Sequence, residues 1–443
     1  MQTGIRLRAY PTGPQKQTLS QWIGCARVIW NAKCDEHRYY STFAKKHFPL
    51  GTYAPLDQTF ASFKDKELTP WLSECPSQIL RNEAVKWYQT YQRFFKKLGG
   101  RPKRKKKSDR GSIHLTRELF RFETCSEGVL RIFIGSKTNN IGLLSFKAHC
   151  RFGEPNSIRI VREAGNWFVS FSYETEEKPA QTEVKVFNSP EEQLQWLREQ
   201  GEEWLTANIQ GHDRGATIPV HSVSTVYDFS PEQKRSKKRL AKKGKRLQKR
   251  MSRQLVGSKR RAKTKFRLAR TKAKVRYINN DFCHKSSRTM VDGPALINVF
   301  ENLKLQNMTR KPKPKQDENG KFLPNGSAAK AALNKKMLAS GLGRLVDFVR
   351  YKSFRAGKLM FLVPPNHTSQ ECACCGHVDP DSRRSQALFE CTSCGHRDNA
   401  DRNAGIVIGK RAVKLILDPG MGLSSRGVLS KRHALRHRTW SCR

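Results

Sequence analysis

The apolar positions of the first hundred residues follow two different periods. Residues 1–13 alternate between apolar and polar side chains and end in Pro-Thr-Gly, which predicts a short strand and a turn. Over 14–46 the apolar residues recur at steps of three and four, which predicts an amphipathic helix. After a proline-rich loop at 47–76, an aromatic stripe predicts a second helix over 76–99, and the basic run RPKRKKK follows at 101–107.

Between residues 110 and 175 the pattern changes to short, β-rich segments that are separated by turn residues. LFRFE, VLRIFIG and NWFVSFSYE are typical of an all-β module, and we expect a small barrel of a kind that often binds oligonucleotides. The tetrapeptide Ser-Pro-Glu-Glu at 189–192 has the spacing of a capping box, which predicts a helix over 189–203.

Two predicted strands in the second half of the chain end in carboxylates. One apolar segment ends at Asp213, which lies in the sequence Gly-His-Asp-Arg-Gly, and another, at 295–300, ends at Glu301. Taken singly, each acid is a weak signal, because an Asp next to glycine is common in ordinary turns.

The segments that follow Glu301 predict a loop, a broken helix and a strand. The polar loop at 309–328 is rich in proline and glycine and is either disordered or a functional lid. A helix over 329–357 is expected to break near Gly341, with Phe354 on its inner face, and a strand at 358–363 follows.

Between the two acid-bearing strands lies a long basic region. From Lys234 to Asn280 the sequence contains no acidic residue, and Lys and Arg supply nearly half of the positions. A thin apolar seam that includes Leu255 predicts two helices, each with one narrow packing face, separated at Gly257-Ser258. Because like charges repel at i,i+4 spacing, a bound phosphate backbone is expected to stabilise these helices.

The chain as a whole is strongly basic. Lys and Arg total 85 against 38 Asp and Glu, which gives a formal charge of +47. Such a charge favours nucleic acid as the partner. A membrane surface is the competing polyanion, but the sequence shows neither a signal peptide nor an apolar run of about twenty residues. Eight of the twelve cysteines are scattered without a disulfide framework, which is typical of a reducing compartment.

The remaining four cysteines form two Cys-x-x-Cys pairs. Cys372 and Cys375 precede Cys391 and Cys394 by fifteen intervening residues, and Gly follows the second Cys of each pair. This spacing is typical of a zinc ribbon, in which two tight knuckles present four thiolates to one structural zinc ion. The zinc is expected to hold a mobile flap and to do no chemistry.

A third carboxylate, Asp401, follows the ribbon at the start of a predicted amphipathic helix. Asp213, Glu301 and Asp401, in this chain order, have the layout of an RNase H-like nuclease, in which two acids end neighbouring strands and a third comes from a helix. Hydrolysis of a phosphodiester by two Mg²⁺ ions about 3.5–4 Å apart needs only a small cluster of such hard oxygen ligands.

At these residues the sequence resembles the TnpB family, the RNA-guided endonucleases encoded by insertion sequences and ancestral to compact type V CRISPR effectors. The matching segments span nearly the whole chain. They include RLRAYPTGPQKQTL, FFKKLGGRPKRKKK, GHDRG, VFENLKLQNM and, most specifically, FECTSCGHRDNADRNAG.

The resemblance implies a multidomain α+β architecture and a DNA endonuclease guided by a transposon-derived RNA. The implied domains are a wedge-like β-barrel at 1–13 and 108–185, a helical recognition lobe inserted in it at 14–107, an RNase H-like RuvC α/β nuclease domain at 186–367 and 397–418, a zinc-ribbon insertion at 368–396 that binds target nucleic acid, and a basic, flexible tail at 419–443.

By the same resemblance, Asp213, Glu301 and Asp401 are the catalytic ligands of two Mg²⁺ ions. The partners would be the guide RNA and a double-stranded DNA target beside a short flanking motif, in the bacterial cytoplasm near the nucleoid. Residues of the basic segments are the candidates for nucleic-acid contact: Arg104, Lys105, Lys238, Arg239, Arg246, Arg260, Arg261 and Lys263.

The sequence departs from the family pattern near two of the acids. His212 and Arg214 flank Asp213 where aliphatic residues are usual, and Gly405 replaces the second Ala of Asn-Ala-Ala. Asp398 is an alternative to Asp401, and Cys374 is an alternative to Cys375 as a zinc ligand. Two other functions use the same fold: an RNA-guided repressor without cleavage, and a transposase that transfers DNA strands without a guide.

Overall fold

The computed structural model describes residues 2–43, 59–108, 110–123, 129–149, 152–174, 187–424 and 427–431. The chain divides into two compact units, one formed by 1–177 with 253–270 and the other by 178–252 with 271–443. Among the helices in these ranges, none is both long and apolar enough to cross a membrane.

A seven-stranded antiparallel sheet is the main element of the first unit. Its strands are β1 (Gln2–Ala9), β2 (Gly111–Thr116), β3 (Phe120–Glu123), β4 (Val129–Gly135), β5 (Asn140–Lys147), β6 (Ser157–Glu163) and β7 (Asn166–Glu174). The order is β2-β6-β7-β1-β5-β4-β3. The N-terminal strand predicted from the alternation of residues 1–13 is therefore confirmed, and it pairs with β7 along its whole length.

Two helices pack against this sheet, α1 (Gly13–Thr42) and α2 (Ser77–Phe95). Thr12 begins α1 with a complete capping box, in which its hydroxyl accepts from Gln15 and the Gln15 side chain returns to its backbone N–H. Leu19, Trp22 and Ile23 of α1 and Ile79, Leu80 and Ala84 of α2 lie in the core with Leu7 and Phe146 of the sheet. The aromatic part of the α2 stripe differs, because Trp87 and Tyr91 form a separate cluster with Trp30 and Phe95 is 55% exposed. The predicted end of the first helix near residue 46, and the loop as far as 58, fall outside the described residues.

A five-stranded mixed sheet forms the centre of the second unit. Its strands are β8 (Ile209–Asp213), β9 (Val220–Ser222), β10 (Val226–Tyr227), β11 (Ile297–Glu301) and β14 (Leu359–Val363). The order is β10-β9-β8-β11-β14, and β8, β11 and β14 run parallel. β11 is buried along its whole length, whereas β8 is only partly buried and has the sequence Ile-Gln-Gly-His-Asp.

Helices cover both faces of this sheet. Successive residues of a strand point to opposite faces, so neighbouring residues of β11 contact different helices. Ile297 and Val299 pack with helices α3 (Pro190–Glu199), α4 (Gly201–Asn208) and α10 (Ala400–Leu417). Phe300 packs on the other face with α6 (Lys259–Asp292) and α9 (Leu342–Arg355). The remaining elements are α5 (Pro231–Ser252), α7 (Leu305–Met308), β12 (Lys315–Gln316), β13 (Phe322–Leu323), α8 (Ser327–Ser340), β15 (Leu388–Glu390), β16 (Arg397–Asn399), β17 (Met421–Leu423) and β18 (Leu429–Lys431).

Two predicted helices differ from the structure in where they end or what they bury. The single helix expected over 189–203 is two helices, because Gly201 adopts a left-handed φ of +80° between α3 and α4. Phe354 is 66% exposed, since Leu345, Val346 and Val349 define the buried stripe of α9 and Phe354 lies outside it.

Two further expectations, for the basic helices and for the tail, are also corrected. Leu255 is 80% exposed because α5 ends at Ser252, before the predicted seam is complete. In the region expected to be a flexible tail, β17 (Met421–Leu423) and β18 (Leu429–Lys431) pair antiparallel, and Leu423 and Leu429 are buried in the core with α3. Residues 432–443 lie outside the described part of the chain.

Candidate metal centres and nucleic-acid surface

The four predicted zinc ligands meet in one cluster. The sulfur atoms of Cys372, Cys375, Cys391 and Cys394 all lie within 4.8 Å of one another. The Sγ atoms of Cys372 and Cys394 are 3.7 Å apart, and those of Cys375 and Cys391 are 3.6 Å apart. Tetrahedral coordination with Zn–S bonds of about 2.3 Å places sulfurs about 3.8 Å apart, so the cluster fits one zinc ion.

Two equivalent knuckles hold these sulfurs. In each, the Gly after the second Cys has a positive φ, +75° at Gly376 and +70° at Gly395, and its N–H donates to the carbonyl oxygen of the first Cys. The N–H of Cys394 also points at the sulfur of Cys391. This hydrogen bond, with further ones from Ser393 and the neighbouring cysteines, lowers the pKa of Cys391 to about 6. Cys374 lies outside the cluster and is exposed.

The three predicted acids converge at one edge of the five-stranded sheet. Phe300 of β11 is in register with His212 of β8, so the next residues, Glu301 and Asp213, end two neighbouring parallel strands at one level. Asp401 lies in the first turn of α10, where the side chain of Asn399 caps the helix by accepting from the backbone N–H of Asp401.

Helix α10 approaches β8 through glycines, and this contact sets the distance between Asp401 and Asp213. A Cβ atom on Gly211 would lie 2.1 Å from the carbonyl oxygen of Gly405 and 2.6 Å from the backbone nitrogen of Gly409. A side chain at Gly405 would find its nearest neighbour at 3.5 Å, an ordinary contact distance. The close approach therefore depends on Gly211, and the departure at Gly405 does not displace the acids.

The electrostatics of the cluster indicate a missing positive charge. Burial and the neighbouring Glu301 and Asp401 raise the pKa of Asp213 from 3.8 to about 7. Burial also raises the pKa of Glu301, whose Oε1 accepts a 2.5 Å hydrogen bond from the hydroxyl of Thr368. Like charges held together in a partly dry site favour protonation or a bound cation.

Two residues of the ribbon segment that the sequence did not indicate complete this site. Arg383 donates to Asp401 Oδ1 at 3.1 Å and also lowers the pKa of Asp213, and Thr368 contacts Glu301. Within the described residues, only the cysteines form a set of three or more ligand atoms within 4.8 Å. The carboxylate oxygens of Asp213, Glu301 and Asp401 do not form such a set.

The alternative acid, Asp398, has a different environment. It lies on β16, and its carboxylate accepts a 3.1 Å hydrogen bond from Arg402, one turn along α10. Asp401 is the acid whose charge acts on Asp213. The geometry favours Asp401 over Asp398 as the third member of the cluster.

His212, another departure from the family pattern, lies inside the second unit and is hydrogen-bonded to two neighbouring strands of the sheet. It is fully buried, with Nδ1 2.5 Å from Ser222 Oγ and Nε2 2.8 Å from Asn298 Oδ1, and its ring stacks on Phe300. Burial lowers the pKa of His212 to about 4, so the ring is neutral. His212 therefore links β8 to both neighbouring strands.

The candidate nucleic-acid contacts are of two kinds. Lys105 pairs with the buried Glu83 and lies 3.5 Å over the ring of Trp30, and Arg104 pairs with Asp35, so both hold the segment 101–107 against α1 and α2. Arg261 likewise donates to the carbonyl oxygen of Gln254 in the turn before α6. The other candidates are exposed cations on α5 and α6: Lys238, Arg239, Arg246, Arg260 and Lys263.

Two family models match the ends of this chain. Residues 343–408, which contain the ribbon and Asp401, match the model described as "Cas12f1-like, TNB domain". Residues 1–38, which form β1 and most of α1, match the model HTH_OrfB_IS605, described as "Helix-turn-helix domain".

Curated relatives extend the similarity over most of the chain. A protein of Escherichia coli (strain K12) named "Putative RNA-guided DNA endonuclease InsQ" is 26% identical over 405 residues, which cover 90% of each chain. A Streptomyces pristinaespiralis protein named "Putative RNA-guided DNA endonuclease" is 26% identical over 379 residues, 84% of this chain and 80% of the relative.

A solved structure shows the same fold. The chain in the "Cryo-EM structure of the Cas12f1-sgRNA-target DNA complex" aligns with a TM-score of 0.52 and 13% sequence identity, covering 92% of this chain and 98% of that one. The chain is therefore similar at residues 1–38 and 343–408 to two domain models, and along most of its length to proteins named RNA-guided DNA endonucleases.

Proposed function

We propose that this protein is an RNA-guided DNA endonuclease, in which Asp213, Glu301 and Asp401 form the catalytic centre. The observation that supports this most directly is the convergence of these three acids from two parallel strand ends and a helix start. The names of the two relatives, both described as RNA-guided DNA endonucleases, support the same activity.

The fold supports a RuvC-type assignment for this centre. The strand order β10-β9-β8-β11-β14, numbered along the sheet by sequence, is 3-2-1-4-5, with the first three strands antiparallel and the last two parallel to the first. This is the arrangement of an RNase H-like domain. In the first unit, the seven-stranded sheet with α1 and α2 would correspond to the wedge and recognition lobe.

The acid cluster fits divalent cations such as Mg²⁺. Its ligands would be hard carboxylate oxygens, and the raised pKa of Asp213, which follows from burial and the neighbouring Glu301 and Asp401, supports the binding of cations there. When bound, two Mg²⁺ ions would activate the attacking water and neutralise charge on the leaving oxygen. Asp213, Glu301 and Asp401 would hold the ions, and Thr368 would orient Glu301.

The reaction would be an in-line hydrolysis. A bond forms between the water oxygen and phosphorus, the bond from phosphorus to the leaving oxygen breaks, and the proton lost by the water is balanced by one taken up at the leaving oxygen. Arg383 would leave Asp401 when cations bind, which frees Oδ1 as a ligand. The guanidinium remains close enough to stabilise negative charge at phosphorus.

The basic surface supports two nucleic-acid partners. The net charge of +47 and the exposed cations of α5 and α6 fit a guide RNA and the DNA strand paired with it. In such complexes base pairing reads the sequence, while the protein reads a short flanking motif and the shape of the heteroduplex.

Cleavage of a guide-matched plasmid by the purified protein–RNA complex tests this proposal. Asp213→Ala or Asp401→Ala should abolish cutting and leave guided DNA binding intact, whereas the neighbouring Asp398→Ala should still cut. Cutting retained by Asp401→Ala would refute the assignment. Guided binding by a wild type that never cuts would point to a repressor, and strand transfer without a guide would point to a transposase.

A further inference from the structure

A cavity of about 430 Å³ opens beside the acids proposed to be catalytic, and no step of the proposed reaction uses it. Its wall includes the cations Arg214 and Lys304, the acids Glu301 and Asp347, and the apolar side chains of Leu303, Leu305, Val346 and Leu362. Asp347 is 71% exposed and lies 3.5 Å from Arg350, so its charge is screened by solvent and by that guanidinium. The cavity is large enough for a nucleotide and adjoins the strand end that holds Glu301. Polar groups beside apolar walls are typical of a ligand site.

Arg214 is the unusual member of this wall. It is 8% exposed, it follows Asp213 directly, and it occupies a position where aliphatic residues are common in the family. Within the described chain, the only hydrogen-bond acceptor for its side chain is the backbone carbonyl oxygen of Glu301. Its Nε atom is buried without a partner. A guanidinium has five N–H donors, so this buried cation is strongly under-satisfied.

The buried charge of Arg214 lies beside the proposed catalytic acids. Glu301 and Asp213 are the acids whose charges act on its guanidinium. In the proposed active state, bound divalent cations would draw the charge of both carboxylates to themselves. Arg214 would then be a buried cation without a counterion, which is costly unless an anion reaches it.

We propose that the cavity is a phosphate subsite for the DNA strand being cut. A phosphodiester next to the scissile one enters the cavity, and Arg214 donates to its non-bridging oxygens. Lys304, at the mouth, adds a second positive charge, and Leu303 and Leu305 contact the attached sugar. This subsite rests on the proposed function and adds a positioning residue that binds substrate outside the reacting bond.

The geometry is also compatible with a purely internal role, in which Arg214 only balances the acids. The two roles differ in one measurable respect. An internal counterion slows every substrate equally, whereas a phosphate ligand is energetically coupled to one phosphate of the strand. Replacing single phosphates by neutral methylphosphonates therefore separates the roles.

The test compares wild type, Arg214→Leu and Arg214→Gln, each loaded with guide RNA, on target strands that carry one methylphosphonate at each position around the cut. The exposed Lys335→Gln is the matched control for loss of charge. We expect wild type and Lys335→Gln to lose about ten- to a hundred-fold in single-turnover rate at one flanking phosphate, as expected for a charge-assisted hydrogen bond. On the unmodified strand, Arg214→Leu should already have a single-turnover rate about ten- to a hundred-fold below that of wild type. The methylphosphonate at the sensitive position should not slow this variant further.

A binding measurement provides a second readout that does not require cleavage. Fluorescence anisotropy with the already cut, 5′-phosphorylated strand in Mg²⁺ should show weaker binding for Arg214→Leu and Arg214→Gln than for wild type. The methylphosphonate at the coupled position should weaken only wild type and the Lys335→Gln control. If wild type binds but never cuts, the proposed function fails while the subsite is still decided by this measurement.

Two results would overturn the subsite. One is an Arg214→Leu complex that is folded, by its thermal unfolding curve, and as sensitive as wild type to every methylphosphonate. The other is coupling that occurs only with methylphosphonates placed in the guide RNA, which would assign the phosphate to the wrong strand. Arg214→Gln keeps a donor for the Glu301 carbonyl oxygen, so it serves where the leucine variant does not fold.

Discussion

The contact between α10 and β8 leads to a sharp prediction for Gly211→Ala. The new Cβ atom would lie 2.1 Å from the carbonyl oxygen of Gly405, whereas ordinary contacts begin at 3.4 Å. The difference, 3.4 − 2.1 = 1.3 Å, cannot be relieved by a side-chain rotation, because both obstacles are backbone atoms. Either α10 or β8 must move, and each holds one of the acids proposed to be catalytic, Asp401 and Asp213 respectively.

The expected losses of stability and of cleavage rate depend on which packed residues shift with α10. Overpacking of a close helix–strand contact costs about 1–3 kcal/mol, and more where backbone atoms collide. Ile408, Ala412 and Ile416 would leave well-packed positions in the core as α10 shifts. A displacement of about 1 Å between catalytic groups costs about 100-fold in rate, so cleavage should fall further than stability.

Gly405→Ala is the matched control, because the same methyl group is added on the other side of the contact. Its Cβ would meet neighbours no closer than 3.5 Å, and alanine gains about 1 kcal/mol over glycine inside a helix. Urea denaturation and guided cleavage should therefore show a damaged Gly211→Ala and a near-normal Gly405→Ala. Equal effects of the two substitutions would refute the argument that Gly211 alone sets the separation of the acids.

Three further predictions concern single residues. Cys391→Ser should abolish stoichiometric zinc, measured by atomic emission, and retained zinc would contradict the four-thiolate site. Asp213→Asn should stabilise the metal-free protein at pH 8 more than at pH 4, by at most about 4 kcal/mol in urea denaturation with EDTA. The sign follows because a pKa raised from 3.8 to about 7 makes the wild type lose stability as the pH rises through that interval; a pH-independent difference would contradict it. Lys105→Gln should lower thermal stability because it removes an ion pair with Glu83, whose side chain is 4% exposed, whereas Lys106→Gln should not. Equal unfolding temperatures for the two lysine variants would show that Lys105 is not structural.

Much of the candidate site could be predicted because its signals are local. The spacing of the cysteines and their glycines defines both knuckles, and the structure confirms them. Glu301 was predictable because it ends a mostly apolar buried strand, and Asp213 because it lies in the sequence Gly-His-Asp-Arg-Gly between two segments expected to be strands. The placement of three acids together needed the strand order as well, which the sequence supplied only through a family resemblance.

The rest depended on contacts between residues that are distant in the chain. Arg383 and Thr368 reach the acids only because the ribbon folds back over the sheet edge, and their own neighbours in sequence give no sign of this. The buried face of the C-terminal hairpin was missed because strands of three residues are too short to show a period. The basic run at 101–107 was predicted to contact nucleic acid, but the side chain of Lys105 forms an ion pair with the buried Glu83.

The zinc ribbon, which was expected to be a mobile flap, is hydrogen-bonded to α10, the helix that carries Asp401. Asn403, fully buried on α10, accepts a 2.9 Å hydrogen bond from the N–H of Ala373 in the first knuckle and donates to the carbonyl oxygen of Glu371 at 2.8 Å. Asn403 lies two residues after Asp401, so the segment Asp-Arg-Asn-Ala contains both an acid and the residue that binds the knuckle to its helix.

This link makes the structural metal and the catalytic centre interdependent. Loss of zinc would release the Ala373 N–H from its fixed position, and the buried amide of Asn403 would lose a partner, at a cost of about 1–3 kcal/mol. The start of α10 would then loosen where Asp401 must be held. If the zinc is structural, its removal should reduce cleavage through the position of Asp401, and Asn403→Ala should reproduce that loss with the zinc still bound.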